Sequence, residues 1–241
     1  MQTKTEGIVL HHIKYSDSSL IATIYTRHHG RLSFLLQGVR KKRSKVKPNL
    51  LQPLFLLNIE MYYKNSRQLQ KAREISVYSP FQSIPYDYRK RTIALFLAEI
   101  LYKTLREEES NPPLFDFIFN HIQMLDLKES GLSNFHIYFL IHLTKYLGFF
   151  PQDNYDKTHK FFNLKNGAFV QFKPNHEDAL DKKESAYLTK FLKHSPNQME
   201  GEKIPHKTRQ QIIEKLLDFY YIHNSGLSTI KSFEVLKEIF K

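Results

Sequence analysis

The chain has 241 residues, of which 41 % are apolar, and it contains 19 Phe and 14 Tyr but no Cys. This composition supports a packed core, and it excludes disulfides and cysteine-based zinc sites, and with them a secreted disulfide scaffold. The formal net charge of +12 favours a polyanionic partner.

The first 75 residues contain five segments of β-strand character, rich in β-branched and aromatic residues and separated by short turns. They are residues 7–15, 20–26, 31–37, 54–63 and 69–74. In the third segment Leu32, Phe34 and Leu36 alternate with polar neighbours, the pattern of a half-buried strand. Five strands with short turns predict a small closed or nearly closed barrel. The five-stranded oligonucleotide-binding (OB) fold is the commonest such barrel used on nucleic acids.

Between the third and fourth strands lies a basic run, residues 38–47, in which six of the ten residues are Lys or Arg and none is acidic. Such a loop can offer positive charge to a phosphate backbone, or it can be a solvated loop that protects a sheet edge. Residues 1–85 hold 14 Lys and Arg against 4 Asp and Glu, whereas the rest holds 22 against 20, which favours nucleic-acid contact. The candidate binding residues are Arg27, Arg31, Arg40, Lys41, Lys42, Arg43, Lys45 and Lys47.

Several aromatic residues on the predicted strands are candidates for stacking on bases. They are Tyr15, Tyr25, Phe34, Tyr62 and Tyr63. The alternative for each is core filling, and Phe34 is expected in the core. Tyr62 and Tyr63 point to opposite faces of a strand, so one of them is expected to be exposed.

The Pro-containing segment 79–85 predicts a domain boundary, with an OB-fold domain over 1–80 and a mostly helical domain over 81–241. Helices are expected at about 86–106, 111–125, 133–147, 184–194, 207–221 and 228–240. The third is apolar nearly all round, which is typical of the buried centre of a bundle. Residues 160–164 and 168–172 predict a β-hairpin with an Asn-Gly turn, inserted at about 158–174. The fold class is therefore α+β.

Motifs for catalysis or metal binding are missing from the sequence. It has no phosphate-binding loop, no nucleophile elbow and no His-Glu-x-x-His motif. The histidine pairs at 11–12 and 28–29 lack metal-ligand spacing, while His136 and His142 are interpreted as core or boundary residues. The acidic cluster at 107–109 is interpreted as a solvated helix end. We therefore expect a protein that is not an enzyme and needs no metal or cofactor.

The N-terminal motifs carry a resemblance to a known family. They are the apolar strand at 7–10, the turn and strand at 15–21, the segments 25–32 and 38–40, and Lys45, 51–53 and 57–63. In this order they resemble the start of the bacterial RecO family of recombination mediators. The match is good over about the first 75 residues and thinner beyond, at 146–151 and 231–232.

The resemblance implies an OB-fold barrel, a helical domain and a role in the RecF pathway of recombinational repair. It implies binding to single- and double-stranded DNA, annealing of complementary strands, and, with RecR, help in loading RecA onto DNA covered by single-strand-binding protein. It also implies binding of that protein's acidic C-terminal tail, for which Arg89, Lys90 and Arg91 are candidate contacts. A cytoplasmic, nucleoid-associated protein without a membrane segment is expected.

One departure from the family concerns metal. Many members carry a cysteine zinc site after the segment that matches 148–151, whereas residues 151–174 contain no Cys here. The predicted hairpin is expected to replace metal ligation with apolar packing. Two other functions remain open on the residues alone: an RNA-binding barrel protein not involved in repair, and a nuclease that uses scattered acidic residues.

Overall fold

The computed structural model of the chain describes residues 2–39, 46–106, 109–224 and 227–240, and it has the predicted α+β fold. Strands dominate the N-terminal region and helices the remainder. Two compact units divide the chain, one ending at Leu127 and the other beginning at Lys128. The domain boundary predicted at 80/81 marks the end of the barrel, whereas the division at 127/128 groups elements by their contacts. The predicted boundary therefore stays a prediction.

Six strands of the first unit form one sheet. They are β1 (Gln2–Lys14), β2 (Leu20–Thr26), β3 (Gly30–Leu36), β4 (Leu56–Tyr62), β5 (Leu69–Gln70) and β6 (Ala72–Val77). Their order in the sheet is β5-β3-β2-β1-β4-β6, and every pair is antiparallel except β3 with β5. The five predicted strand segments are confirmed, the fifth being divided in two at Lys71.

The two edges of this sheet belong to one stretch of chain. β5 and β6 are separated by Lys71 alone, and they pair with β3 and with β4 respectively. Residues 69–77 therefore join both edges, the arrangement of a five-stranded OB-fold barrel with a gap at Lys71. The interior is filled by alternating apolar side chains, with Phe34 fully buried as predicted. Gly7 is required there, because a Cβ atom would lie 2.6 Å from the Ile24 side chain.

Two helices complete the first unit, α1 (Tyr88–Thr104) and α2 (Pro112–Leu127). Asp87 caps α1 by accepting hydrogen bonds from the backbone N–H groups of Arg89 and Lys90. The helix α2 packs on the outer side of β2, where the Tyr25 ring lies 6.2 Å from the Phe115 ring. The helix α1 packs against β1, where the Tyr102 ring lies 4.5 Å from the His11 ring. Thr23 and Tyr25 are consequently buried although they point away from the barrel interior.

The second unit is built around α3 (Leu132–Leu147), which is buried along most of its length, as predicted. The other helices are α4 (Lys182–Lys193), α5 (Pro196–Glu200), α6 (His206–His223) and α7 (Ser232–Ile239). The buried Tyr220 of α6 donates a hydrogen bond to the Leu140 carbonyl of α3 at 2.7 Å. His136 is fully buried in this core, and burial lowers its pKa to about 3, which confirms its interpretation as a core histidine.

A two-stranded hairpin, β7 (Phe161–Asn163) and β8 (Ala168–Val170), confirms the predicted insertion. Its turn places Gly167 at a φ of +63°, which glycine adopts without strain. Phe162 and Phe169 are buried, and their rings lie 5.1 Å apart with the Phe219 ring of α6 5.6 Å from Phe162. Apolar packing thus holds the hairpin to the helices. Of the helices that the structure describes, none is both long and apolar enough to span a membrane.

Candidate nucleic-acid interface

One end of the barrel carries the flanks of the basic run. Lys14 pairs with Leu20 and Leu20 pairs with Leu36, so the β1–β2 turn and the residues after β3 lie side by side. The run follows directly. Arg40, Lys41, Lys42, Arg43 and Lys45, five of its candidate residues, lie outside the described residues. The sixth, Lys47, is exposed and precedes a short 3-10 helix, Pro48–Leu51.

Both flanks of the basic run are anchored in the barrel core. Val39 is buried at its start, and Leu51 is fully buried after its end. The imidazole of His12 on β1 also lies 3.0 Å from the Leu51 carbonyl, which ties the 3-10 helix to the sheet. The points where the run leaves and rejoins the barrel are therefore fixed by packing.

The neighbouring β1–β2 turn exposes an aromatic side chain. The backbone N–H groups of Tyr15 and Ser16 both donate to the Ser19 carbonyl, so the turn is tight. Tyr15 is 60 % exposed and Ile13 is 50 % exposed, so both side chains are accessible to a ligand. Of the described cations here, Lys14 lies 3.4 Å from Asp17, an exposed pair of little strength. An exposed tyrosine beside cationic residues is the combination that stacks on bases and contacts phosphates.

Arg27 and Arg31, the two candidates on the strands, make contacts within the first unit. Arg27 donates to Glu6 at 3.0 Å and to Asp116 of α2, and its guanidinium lies over the Phe115 ring. Arg31 donates to the carbonyls of Tyr102 and Leu105 at 2.8 and 2.7 Å. Both side chains therefore fasten the helices to the barrel. Their role as DNA-binding residues stays a prediction.

The aromatic candidates divide as expected. Tyr62 is 51 % exposed, and Tyr63 is half-buried with its ring stacked 4.1 Å from His29, which confirms that one of the pair is exposed. Tyr25 is buried against α2, so it has no face open to a base.

A second cationic segment of the barrel was not predicted from the sequence. From Met61 to Arg73 the chain contains four Lys and Arg and no Asp or Glu. Lys64, Arg67 and Lys71 are exposed, and none of them forms an ion pair with a residue that the structure describes. The feature that could have revealed this segment is the absence of Asp and Glu over 13 residues, because its four Lys and Arg do not form a dense run.

The three candidate contacts at the start of α1 differ in exposure. Arg89 and Arg91 are exposed, and Arg89 lies 3.3 Å from Asp87. Lys90 is buried, and its ammonium donates to the Ser83 hydroxyl at 2.6 Å and to the Asp126 carbonyl at 2.8 Å. The surface that this helix start can offer a partner is therefore made by Arg89 and Arg91. A partner-binding role for any of the three stays a prediction.

No group of three or more His, Asp or Glu is arranged to hold a metal ion within the described part of the chain. Of the acidic cluster at 107–109, Glu107 and Glu108 lie outside the described residues, and Glu109 is exposed. Within the described residues, the barrel surface therefore presents cationic and aromatic side chains and no metal site.

Comparison with known proteins gives consistent matches along the chain. The family model described as recombination protein O N terminal matches residues 1–81, and the model described as recombination protein O C terminal matches residues 85–233. Proteins named DNA repair protein RecO from Phocaeicola vulgatus and Bacteroides fragilis are each 37 % identical to this chain, over 240 and 243 residues. Both matches cover 100 % of each chain. A protein of the same name from Porphyromonas gingivalis is 31 % identical, with 98 % of each chain covered.

Proposed function

The chain belongs to the RecO family and has a role in DNA repair and recombination, and from this premise we propose that it is a DNA-binding recombination mediator. In this role it binds single- and double-stranded DNA and anneals complementary strands. With a RecR partner it helps to load RecA onto DNA covered by single-strand-binding protein. The family membership supports this role over that of an RNA-binding barrel protein.

The observation that carries the proposal is the position on the barrel of the two flanks of the basic run. The basic run leaves and rejoins the barrel at Val39 and Leu51, two buried anchors, beside the exposed Tyr15. A strand that meets this end finds the Tyr15 ring for its bases and the exposed Lys47 for a phosphate, and the sequence of the run supplies further positive charge. Phosphate contacts of this kind carry no sequence information, which suits a protein that acts on any damaged site.

Annealing follows from the same chemistry. Two complementary strands repel each other through their phosphates, and a protein that neutralises those charges lowers the barrier to their encounter. Base pairing then supplies the free energy of the reaction. The step needs no covalent chemistry by the protein and no nucleotide.

Binding of the single-strand-binding protein's tail is proposed for the helical part of the chain. The tail is acidic with an apolar end, so a fitting surface combines exposed cations with apolar side chains. At the start of α1, Arg89 and Arg91 are exposed beside the exposed rings of Tyr86 and Tyr88. These residues have the required chemistry and are the contacts proposed here.

The test is annealing of complementary labelled oligonucleotides, naked and coated with single-strand-binding protein, without any nucleotide. The proposal predicts faster annealing of naked strands by the wild type, and annealing of coated strands when the coating protein keeps its tail. Coated strands whose protein lacks the tail should not be annealed faster. No acceleration of naked strands, or cleavage of the DNA on addition of magnesium, would overturn the proposed function.

A further inference from the structure

Strand β1 contains a β-bulge near the end of the barrel that carries the basic run. In the pairing of β1 with β2 the register shifts between Val9 and His11, so Leu10 is an extra residue. Beyond the bulge, His12 pairs with Ala22, whose side chain belongs to the barrel core. Opposite residues of a pair point to the same face of the sheet, so the bulge turns the His12 ring toward the inner side.

The chain that returns from the basic run is hydrogen-bonded to β1 on both sides of this bulge. Before the bulge, Val9 donates to the Phe55 carbonyl at 3.0 Å and accepts from the Leu54 N–H at 2.8 Å. Beyond the bulge, the Nδ1 atom of His12 lies 3.0 Å from the carbonyl oxygen of Leu51. A carbonyl oxygen only accepts, so Nδ1 carries the proton and donates. Leu51 is the last residue of the 3-10 helix, and His12 therefore satisfies a carbonyl at its end.

The same segment contains a strained turn. Leu54 has a φ of +63°, in the left-handed region that residues other than glycine rarely adopt. The Phe55 N–H donates to the Gln52 carbonyl at 3.1 Å, so Leu54 occupies the third position of this turn, where glycine is usual. Leu54 is fully buried, and the packing of its side chain holds the turn in this conformation. The path of the returning chain is thus determined by its contacts with the barrel.

These contacts determine where the C-terminal flank of the basic run lies. Lys47 directly precedes the 3-10 helix and is exposed, while Val46 packs partly buried against the barrel core. Six residues, 40–45, separate Val46 from the buried Val39. A short cationic segment with both ends fixed loses less conformational entropy when it binds phosphates. The His12 hydrogen bond is a link that a substitution can remove, because the bonds of Val9 involve only backbone atoms.

We propose that His12 is a positioning residue for DNA binding, which holds the C-terminal flank of the basic run on the barrel through its hydrogen bond to the Leu51 carbonyl. The inference rests on the proposed function and assigns no DNA contact to His12 itself. Loss of this hydrogen bond loosens the 3-10 helix and Lys47 from the end of the barrel, while every cation of the run is kept. The affinity for DNA then falls because ordering the run costs more, not because charge is lost.

The test compares full-length His12→Asn and His12→Phe by their affinity for a labelled single strand over a range of salt concentrations. The side-chain amide nitrogen of Asn takes the place of Nδ1 and can donate to Leu51, whereas Phe keeps a ring but has no donor. His12→Phe should weaken binding about three- to tenfold, the size expected for one hydrogen bond, with an unchanged log–log salt slope because no cation is lost. His12→Asn should bind as the wild type does.

Other roles of His12 give different results, and each of these would overturn the inference. If the ring stacked on a base, Phe would preserve the affinity and Asn would reduce it. If His12 bound a phosphate as a cation, both variants would reduce the salt slope. If the histidine were merely structural, His12→Phe would lower the melting temperature and leave the affinity of the folded protein unchanged.

A matched control and a second background complete the test. His159→Phe removes a histidine of the second unit whose Nδ1 lies 3.0 Å from an Asp156 oxygen, and it should leave the affinity unchanged. In the background of Arg40→Ala/Lys41→Ala/Lys42→Ala/Arg43→Ala, His12→Phe should weaken binding less than it does in the wild type, because its effect passes through the run. An equal effect in both backgrounds would overturn the inference and leave the proposed function standing. If the wild type shows no affinity for the oligonucleotide at all, the proposed function itself fails.

Discussion

Several cationic side chains of the first unit are committed to the fold. Arg31 donates to two carbonyls at the end of α1, and Lys90 donates to the Asp126 carbonyl and the Ser83 hydroxyl. Carbonyl groups at a helix end have no partner within the helix, and a cation there satisfies them. Positive charge counted from a sequence therefore overstates the charge that a ligand can meet.

The buried carboxylate of Asp126 is also committed to the fold, because it accepts hydrogen bonds from backbone N–H groups. Its replacement is therefore expected to lower the stability of the protein. It accepts hydrogen bonds from the backbone N–H groups of Gln82, Ser83 and Ile84 at 2.7, 2.9 and 2.9 Å, which fixes the segment before α1 to the end of α2. We expect Asp126→Asn to lower the free energy of unfolding by about 2–3 kcal/mol, because one amide group then faces a backbone donor. Urea unfolding at neutral pH measures this.

The pH dependence of that loss has a definite sign. Burial alone would raise the pKa of Asp126, but the backbone hydrogen bonds of Gln82, Ile84 and Ser83 lower it below its ordinary value. A lowered folded pKa stabilises the fold above the unfolded pKa of about 3.9, and this stability is lost as the pH falls through the folded pKa. The difference between wild type and variant should thus shrink in acid. Asp17→Asn, at a fully exposed position, is the control and should change stability by less than about 0.5 kcal/mol; an equal effect of both variants would refute the account.

At the scale of elements, the strands and helices with a periodic apolar pattern could be predicted from the sequence. The packing of the helices on the barrel could not. Alternating Leu32, Phe34 and Leu36 specify a strand locally, and the apolar α3 specifies a buried helix. The contacts of Arg27 and Arg31 depend on where α1 and α2 pack, over 70 residues away in sequence, so strand pattern alone could not reveal them. The burial of Gln70 was missed as well, and it follows from a local turn in which its side-chain amide donates to the carbonyls of Lys64 and Arg67.

The β7–β8 hairpin leads to a prediction about metal. Because Phe162 and Phe169 pack against Phe219, the hairpin has an apolar anchor of its own. We expect Phe162→Ala to lower the free energy of unfolding by about 3–5 kcal/mol, since Phe162 is 2 % exposed. Phe172→Ala, at a 76 % exposed position, should cost less than about 0.5 kcal/mol.

The same preparation tests the metal directly. With no Cys in the chain, a chelator should leave the unfolding midpoint of the wild type unchanged. Zinc bound in stoichiometric amount, together with a lower midpoint after chelation, would contradict the expectation that packing replaces metal ligation in this hairpin.

At the scale of the whole molecule, the excess of positive charge lies in the first third of the chain, and the rest is nearly neutral. Residues 1–85 have a net charge of +10, whereas residues 86–241 have a net charge of +2. This distribution of charge could be predicted from the sequence, because it requires only a count of the charged residues in each part. A protein with this division can attract a nucleic acid to one part and leave the other to protein partners.

We propose that the basic run binds DNA through its phosphates. The measurement that tests it most directly is the log–log salt slope of oligonucleotide affinity, for wild type and for Arg40→Ala/Lys41→Ala/Lys42→Ala/Arg43→Ala. At about 0.7 per phosphate, four lost contacts should reduce the slope on a single strand by ~3, to the same extent for all sequences, and the variant should stay folded and anneal more slowly. An unchanged slope would contradict the claim and would show that these charges only solvate the loop.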